Sequence, residues 1–296
     1  MDQLSIGDNK TSITVVMRAY NAAKYISEAI ESVINQTYKG LIKIRVCYDE
    51  GTTDNTYEIL EHISKNIAKP NRHIEIIRHK PTTPSRAMIE CGLTSIDTDY
   101  TAILDYDNKY PENYIEKVMK MAENNDHVQF LFTNTVIISE SGEILGGSIM
   151  KMPKNPYDFK KLIIVNHIDA NTQILKKDCA ELILKKLKEL GHKFFDHVWD
   201  DWLIALLALK YCKPLYIQDA YVLYRIHSSN ISRRNNVINI IQNLDKDLRT
   251  IIAFAILEKN SLTSTERIMV IISALRKILG ILYYTTKLIL LPTFTT

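Results

Sequence analysis

The sequence predicts an α/β fold: a mostly parallel sheet covered by helices on both faces, followed by a C-terminal helical appendage. Three observations carry that expectation. Short runs rich in β-branched residues alternate with stretches of helical periodicity through the first half of the chain. Acidic residues gather where two of those runs end. The last thirty residues turn basic and strongly apolar, unlike anything before them.

The first run, "ITVVM" (13–17), reads as a buried strand. In the helix expected over about 22–36, Ile26, Ala29, Ile30, Val33 and Ile34 share one face of a 3.6-residue period. "IKIRVCY" (42–48) is a second strand, and the "DEGTTDNT" after it is a turn cluster that opens a helix carrying Ile59, Leu60, Ile63 and Ile67. Asp54 reads there as the helix cap. "HIEIIRH" (73–79) is a third strand, "KPTTPSR" a Pro-punctuated loop before a helix to about Ser95, and "YTAIL" (100–104) a fourth strand. Strand, helix, strand, helix at this spacing argues for parallel pairing. Beyond His127 the rhythm loosens. "HVQFLFTN" is a strand, "VIISESGEILGG" a hairpin arm turning at Ser-Gly, 176–190 a helix, and "DDWLIALLALKY" an apolar helix that begins on Asp200 and Asp201.

Composition bounds the function. With 296 residues the chain can bury a full core, and 37 basic against 34 acidic residues is too even a balance for a nucleic-acid binder. Cys47, Cys91, Cys179 and Cys212 lie far apart without metal-site spacing, which suggests reduced, mostly buried thiols. The opening "MDQLSIGDNKTS" has no basic and apolar leader pattern. Both features point to a cytoplasmic protein.

In the tail, Arg276, Lys277 and Lys287 break the apolar stretch into uncharged runs of about eight or nine residues, against roughly 20 for a membrane span. Two readings stand level: a helix lying in the membrane interface over 264–291, or a helix pair packed on protein. The division expected is 1–236 for the main domain and 237–296 for the extension.

Three Asp-x-Asp triplets occur: Asp97/Asp99, Asp105/Asp107 and Asp245/Asp247. About one per 300 residues arises by chance, so position decides among them. Asp97 and Asp99 precede the fourth strand, as turn acids at the bottom of the sheet. Asp245 and Asp247 sit on a polar helical stretch, read as a solvated face. Asp105 and Asp107 directly follow a buried strand, where ligands of open α/β sheets collect, near Asp49 and Glu50 after the second strand. A carboxylate pair there suits Mn2+ or Mg2+ bridging protein to a diphosphate.

"VVMRAYNAAKYISEAIESVINQTYKGLIKIRVCYDEGTTDNTYEIL" closely resembles the opening of family-two glycosyltransferases of the GT-A, Rossmann-like fold, which read roughly "P-x-Y-N…AI-x-S-x-x-x-Q-T-Y…DD-G-S-T-D-x-T". "AMIECGL" with "TDYTAILDYDN" is similar to the family's "A-R-N-x-G" and D-x-D segments. "VWDDWLIALLAL" resembles its "E-D" element and "YRIHSSNIS" its closing motif, so the likeness runs from about Ile13 to Ser232. The resemblance implies inverting transfer, of hexosyltransferase type, from a nucleotide-diphospho-sugar to a hydroxyl of a glycan, lipid-linked or surface-polysaccharide acceptor. It implies Tyr20, Asn21 and Glu50 at the nucleotide, and Asp107 as metal ligand with Asp105 assisting at metal or ribose. It further implies His227 as a further metal or diphosphate contact, and Asp201 as general base with Asp200 beside it. Read without the resemblance, Asp200 and Asp201 are first-turn acids meeting a helix dipole, and His227 an interior histidine.

The chain departs from the pattern at three positions. Arg18 stands for the usual Pro or Thr near the base edge, Glu50 for Asp, and Ile89 for the Arg of "A-R-N-x-G". Arg86, three residues before Ile89, is either a replacement phosphate contact or a surface residue. These departures motivate a rival, a degenerate protein that binds a sugar nucleotide without turnover. A second rival is a haloacid-dehalogenase-type phosphatase with Asp105 as nucleophile, although Lys109 stands where that motif has Thr or Val. No G-x-G-x-x-G follows any strand, which disfavours a dinucleotide enzyme. Work near the membrane's cytoplasmic face goes with the basic apolar tail.

Overall fold

In the computed structural model, which describes residues 10–191, 196–228 and 236–290, one seven-stranded sheet organises the chain. The strands are β1 (Ile13–Ala19), β2 (Ile42–Asp49), β3 (Arg72–His79), β4 (Tyr100–Ile103), β5 (Phe130–Ile138), β6 (Gln173–Lys176) and β7 (Pro214–Arg225). Their order is β3-β2-β1-β4-β6-β5-β7, and only β6 runs against its neighbours. The mostly parallel sheet expected from the alternation is therefore present. Two strands were not read from the sequence pattern: the four-residue β6, which ends where the helix expected over 176–190 begins, and β7.

Alternation along β1 explains the layering. Val15 and Met17 point into one apolar layer, beneath α1 (Ile26–Ile34), α2 (Thr56–Lys65) and α4 (Tyr114–Glu123). Val16 points into the other, with Phe130, Phe132, Leu175 and Leu203, beneath α6 (Lys177–Glu189) and α7 (Asp200–Tyr211). Between β3 and β4 the chain forms a one-turn helix α3 (Pro84–Ala87) and a π-turn (Met88–Gly92) in place of the longer helix expected. The hairpin arm after β5 does turn at Gly142, whose φ is +93°, with Ser139 N–H donating to Glu143 O at 2.8 Å.

α7 is apolar all round and buried from Trp202 to Ala208, so it is a core helix rather than an amphipathic one. The Trp202 indole N–H donates to Leu162 O at 2.7 Å and ties α7 to α5 (Phe159–Ile164). A helix sunk this deeply presents its first turn, Asp200 and Asp201, at a fixed place under the sheet's carboxyl edge.

All four cysteines are paired, which corrects the expectation of free thiols. Cys47 of β2 bonds Cys91 of the π-turn, and Cys179 of α6 bonds Cys212 just past α7, with Cα separations of 5.9 and 6.0 Å. The partners lie 44 and 33 residues apart and meet only through packing, so no local spacing could announce them. Cysteine usage thus no longer argues for a reducing compartment.

The appendage is two helices, α8 (Val237–Leu257) and α9 (Ser264–Leu290). α9 is continuous through its basic residues, and Ser264–Lys287 is long and apolar enough to cross a membrane by length and composition. One side of it is covered by protein: Ser273 is buried, Gly280 packs against Leu244, and Lys277 Nζ lies 2.5 Å from Asp247. The other side exposes Ile268, Ile271, Leu275, Leu279 and Leu282. Asp247 is not on a solvated face, because it also accepts from the Trp199 indole N–H at 2.9 Å; Asp245 does pair with Arg249 on the surface at 2.7 Å.

Candidate active site

The sheet reverses its winding between β1 and β4, the switch point where open α/β sheets place their ligands. Asp105 and Asp107 follow β4, Arg18 closes β1 beside them, and the start of α7 approaches from below. Arg18 binds two carboxylates at once: Nη2 lies 2.7 Å from Asp105 Oδ1 and Nη1 lies 3.0 Å from Asp200 Oδ2. Burial opposes the charge on Arg18, but Asp105 and Asp200 outweigh it and raise its pKa, so the guanidinium stays charged. This side chain therefore fastens the D-x-D loop to α7.

Asparagines complete the framework. Asn171 accepts the Asp105 backbone N–H at 2.7 Å and donates to Asp169 at 2.8 Å. Asn166 Nδ2 donates to Asp201 Oδ2 at 2.9 Å, and Ser85 Oγ lies 3.0 Å from Asp200 Oδ1. Burial, then the charges of Asp200 and Asp169, push the Asp201 carboxyl up to about 8; Asp169, also buried, rises to about 6. Three carboxyls near a single guanidinium cannot all ionise cheaply, and Asp201 is where the proton stays.

Asp107 is held from the other side. The His227 ring Nε2 lies 3.0 Å from Asp107 Oδ2, and the Arg225 Nε–H donates to the Asp107 carbonyl at 2.9 Å. Burial raises the Asp107 pKa; the His227 contact opposes this and the Asp105 charge adds to it, with a net rise. Arg225 also pairs with Glu28, and its guanidinium sits 5.0 Å over the Tyr25 ring. No three His, Cys, Asp or Glu side chains converge as a metal cage among the described residues. One carboxylate and one imidazole still fit a hard cation that completes its shell with diphosphate oxygens and water, as Mn2+ and Mg2+ commonly do.

At the outer end of β1 and β2 the loops form a more open wall. Asn21 takes a left-handed backbone with φ of +46°, and its Oδ1 accepts the Thr53 N–H at 2.8 Å. Asp54 joins the same two loops, accepting from Ala23 N–H and Thr56 N–H at 3.1 Å each; α2 begins at Thr56, so Asp54 stands just ahead of it. Tyr20 is 55% exposed at this edge. Glu50 faces Arg78 at 3.7 Å, and Arg78 lies 4.5 Å over the Tyr57 ring.

Of the residues expected from sequence, Arg18, Asp105 and Asp200 form one ion-paired group, Asp201 follows Asp200 at the start of α7 with Asn166 on its carboxyl, and Asp107 pairs with His227 beside Asp105. Arg86 stands apart, paired with Asp196 at 2.6 Å rather than with the carboxylate group. Asn166, Asp169, Asn171, Ser85 and Arg225 were missed. Arg225 lay inside the quoted "YRIH" segment, but the others carried no motif. Residues 229–232, the end of the closing motif, lie outside the described residues.

The chain is similar in sequence and fold to known proteins. A glycosyltransferase of Haemophilus influenzae is 28% identical over 85% of this chain and 81% of its own length. Another from Methanocaldococcus jannaschii is 30% identical over 74% of this chain and 72% of its own length. Among solved structures, the Staphylococcus aureus TarS fold superposes with a TM-score of 0.63 at 15% identity, over 90% of this chain and 43% of that one. A Pyrobaculum calidifontis mannosyltransferase, solved with GDP-Man and Mn2+, gives a TM-score of 0.61 at 14% identity, over 97% and 76%. TarS has also been solved with UDP and with UDP-GlcNAc. The GT-A architecture is thus shared, and the phosphatase reading has no support in the match. The family model described as glycosyl transferase family 2 matches residues 14–189, more than half of the chain, and the protein belongs to that family of glycosyltransferases.

Proposed function

We propose that the protein transfers a sugar, with inversion, from a nucleotide-diphospho-sugar to an acceptor hydroxyl. The observation that carries this reading is the single linked group Asp105–Arg18–Asp200, with Asp107–His227 on one side and Asp201 on the other. Tyr20 and Asn21 border the nucleotide, and Glu50 with Arg78 meets the base or ribose. Asp107 and His227 would hold Mn2+ or Mg2+ at the diphosphate end of the site. The cation supplies charge neutralisation for the departing diphosphate.

The rest of the chemistry falls to side chains. Asp201, once ionised, accepts the proton of the acceptor hydroxyl as that oxygen bonds the anomeric carbon. The bond from that carbon to the diphosphate oxygen breaks on the opposite face, and its electron pair leaves with the nucleotide diphosphate. Arg18 and Ser85 hold the Asp200 carboxylate, which leaves Asp201 as the group that cycles its proton. Orientation of donor and acceptor in line supplies much of the remaining acceleration.

The exposed apolar side of α9, with Arg276 and Lys287 on the same helix and no acid after Glu266, suits an anionic membrane surface. A helix whose other side is covered by α8 lies on a membrane rather than through it. The enzyme then works peripherally on the cytoplasmic face, within reach of a glycan or lipid-linked acceptor. A thermal-shift screen of UDP, GDP and their sugars, with and without Mn2+, tests the donor reading. A rise in melting temperature that needs both nucleotide and cation is expected, and no response to any of them contradicts it.

A further inference from the structure

A cavity of about 390 Å³ opens next to Asn166, the residue that donates to Asp201. That volume falls in the range of small-molecule sites. Its wall carries Lys151, Lys154 and Lys161 together with the apolar Met152, Pro153 and Val165, and it contains no acidic residue. None of the three lysines forms an ion pair with a described residue. The nearby Asp158 is engaged by the α5 backbone, accepting the Lys161 N–H at 3.0 Å.

His167 completes the wall. It is buried, its Nε2 lies 3.3 Å from Pro156 O, and its Nδ1 has no hydrogen-bond partner among the described residues. With the proton on Nε2 toward that carbonyl, the ring is fixed in the wall by its own backbone surroundings. Burial lowers the His167 pKa and keeps the ring neutral, so the cavity's charge is that of its lysines.

We propose that this cavity is the acceptor subsite and that the acceptor carries an anionic group, a phosphate or a carboxylate, received by Lys151, Lys154 and Lys161. The inference rests on Asp201 as the base, since Asn166 forms both the cavity wall and the contact to Asp201. Three uncompensated lysines around an apolar floor would be poor company for a neutral sugar, and they complement an anion attached to one.

The test titrates glucose 6-phosphate, glucuronate and glucose into the full chain by NMR, for the wild type and for Lys151→Gln/Lys154→Gln/Lys161→Gln. The charged sugars are expected to bind about tenfold more tightly than glucose, and the triple variant to lose that preference. A preference for glucose 6-phosphate alone assigns the anion as phosphate, and one for glucuronate alone as carboxylate. Equal binding of all three, or a preference that survives in the triple variant, overturns the proposal. The nucleotide-diphosphate thermal shift with Mn2+ should stay unchanged in the variant, which also reports that it folds. Lys151→Gln/Lys154→Gln, confined to the loop before α5, should lose part of the preference if the triple variant fails that check. A wild type with no nucleotide response would contradict glycosyl transfer itself, so the two failures are distinguishable.

Discussion

Arg18 and Asp200, 182 residues apart in sequence, meet at 3.0 Å beneath the carboxyl edge of the sheet, and the same guanidinium holds Asp105 at 2.7 Å. Removing the cation leaves the buried Asp200 carboxylate and the half-buried Asp105 without their shared partner. Arg18→Met should therefore cost about 3 kcal/mol of stability at pH 7.5. Arg18→Lys should recover only part, because an ammonium cannot span both partners as a planar fork does. Urea titrations of the three proteins measure this.

Asp201 makes a pH-dependent prediction whose sign is fixed. Burial and the neighbouring charges of Asp200 and Asp169 raise its carboxyl from the usual carboxylate range to about 8. Between those values the native state holds a proton that the unfolded state has released, so this group lowers stability as pH rises. Asp201→Asn removes that penalty. The wild type should lose more than about 1.4 kcal/mol relative to the variant between pH 5 and pH 8. Thermal melts across that range check it, and a constant difference would mean that Asp201 is already ionised at pH 5.

The pairing of Asp107 with His227 predicts cation dependence. Asp107→Ala should abolish the Mn2+-dependent part of the nucleotide thermal shift, and His227→Ala should weaken it by about tenfold in Mn2+ concentration. Isothermal titration of Mn2+ in the presence of the nucleotide diphosphate reads both, and EDTA should return the wild type to the response of Asp107→Ala.

α9 predicts surface behaviour. Leu275→Glu/Leu279→Glu changes only the exposed side of the helix, so the melting temperature should hold within a degree or two. Sedimentation with anionic vesicles should fall several-fold, and sedimentation with neutral vesicles should be weak for both proteins. Undiminished binding to anionic vesicles would remove the membrane role from this helix.

The frame and the poles of the site were legible in the sequence for physical reasons. Buried parallel strands demand continuous apolar runs, and "ITVVM", "IKIRVCY" and "YTAIL" supply them, so the residues at their ends could be placed at the ligand edge. Asp105 and Asp107 were separated from the other two triplets on that ground alone. Asp99, as expected of a turn acid, accepts from Ser12 N–H at 2.7 Å at the opposite end of β4. What stayed hidden depends on long-range packing. β6 is four residues long and pairs with strands more than forty residues away. Asn166 and Asn171 are polar residues in an irregular segment, and their importance comes only from meeting Asp201 and Asp105. The cystines belong to the same class. Arg86 lies near the family motif, and its pairing with Asp196, 110 residues on, is again a contact that only packing brings about.

Donor turnover in Asp201→Asn and Asp107→Ala tests the proposed site most directly. Purified proteins would be incubated with UDP- and GDP-sugars and Mn2+, and release of nucleotide diphosphate followed with and without a cell-surface glycan extract as acceptor. The wild type should release nucleotide from one donor, faster with acceptor. Both variants should be slower by at least about a hundredfold, with Asp201→Asn still binding the donor and Asp107→Ala failing to respond to Mn2+. Acceptor-stimulated release at the wild-type rate by Asp201→Asn would contradict the assignment of the base and the linked carboxylate group built around it.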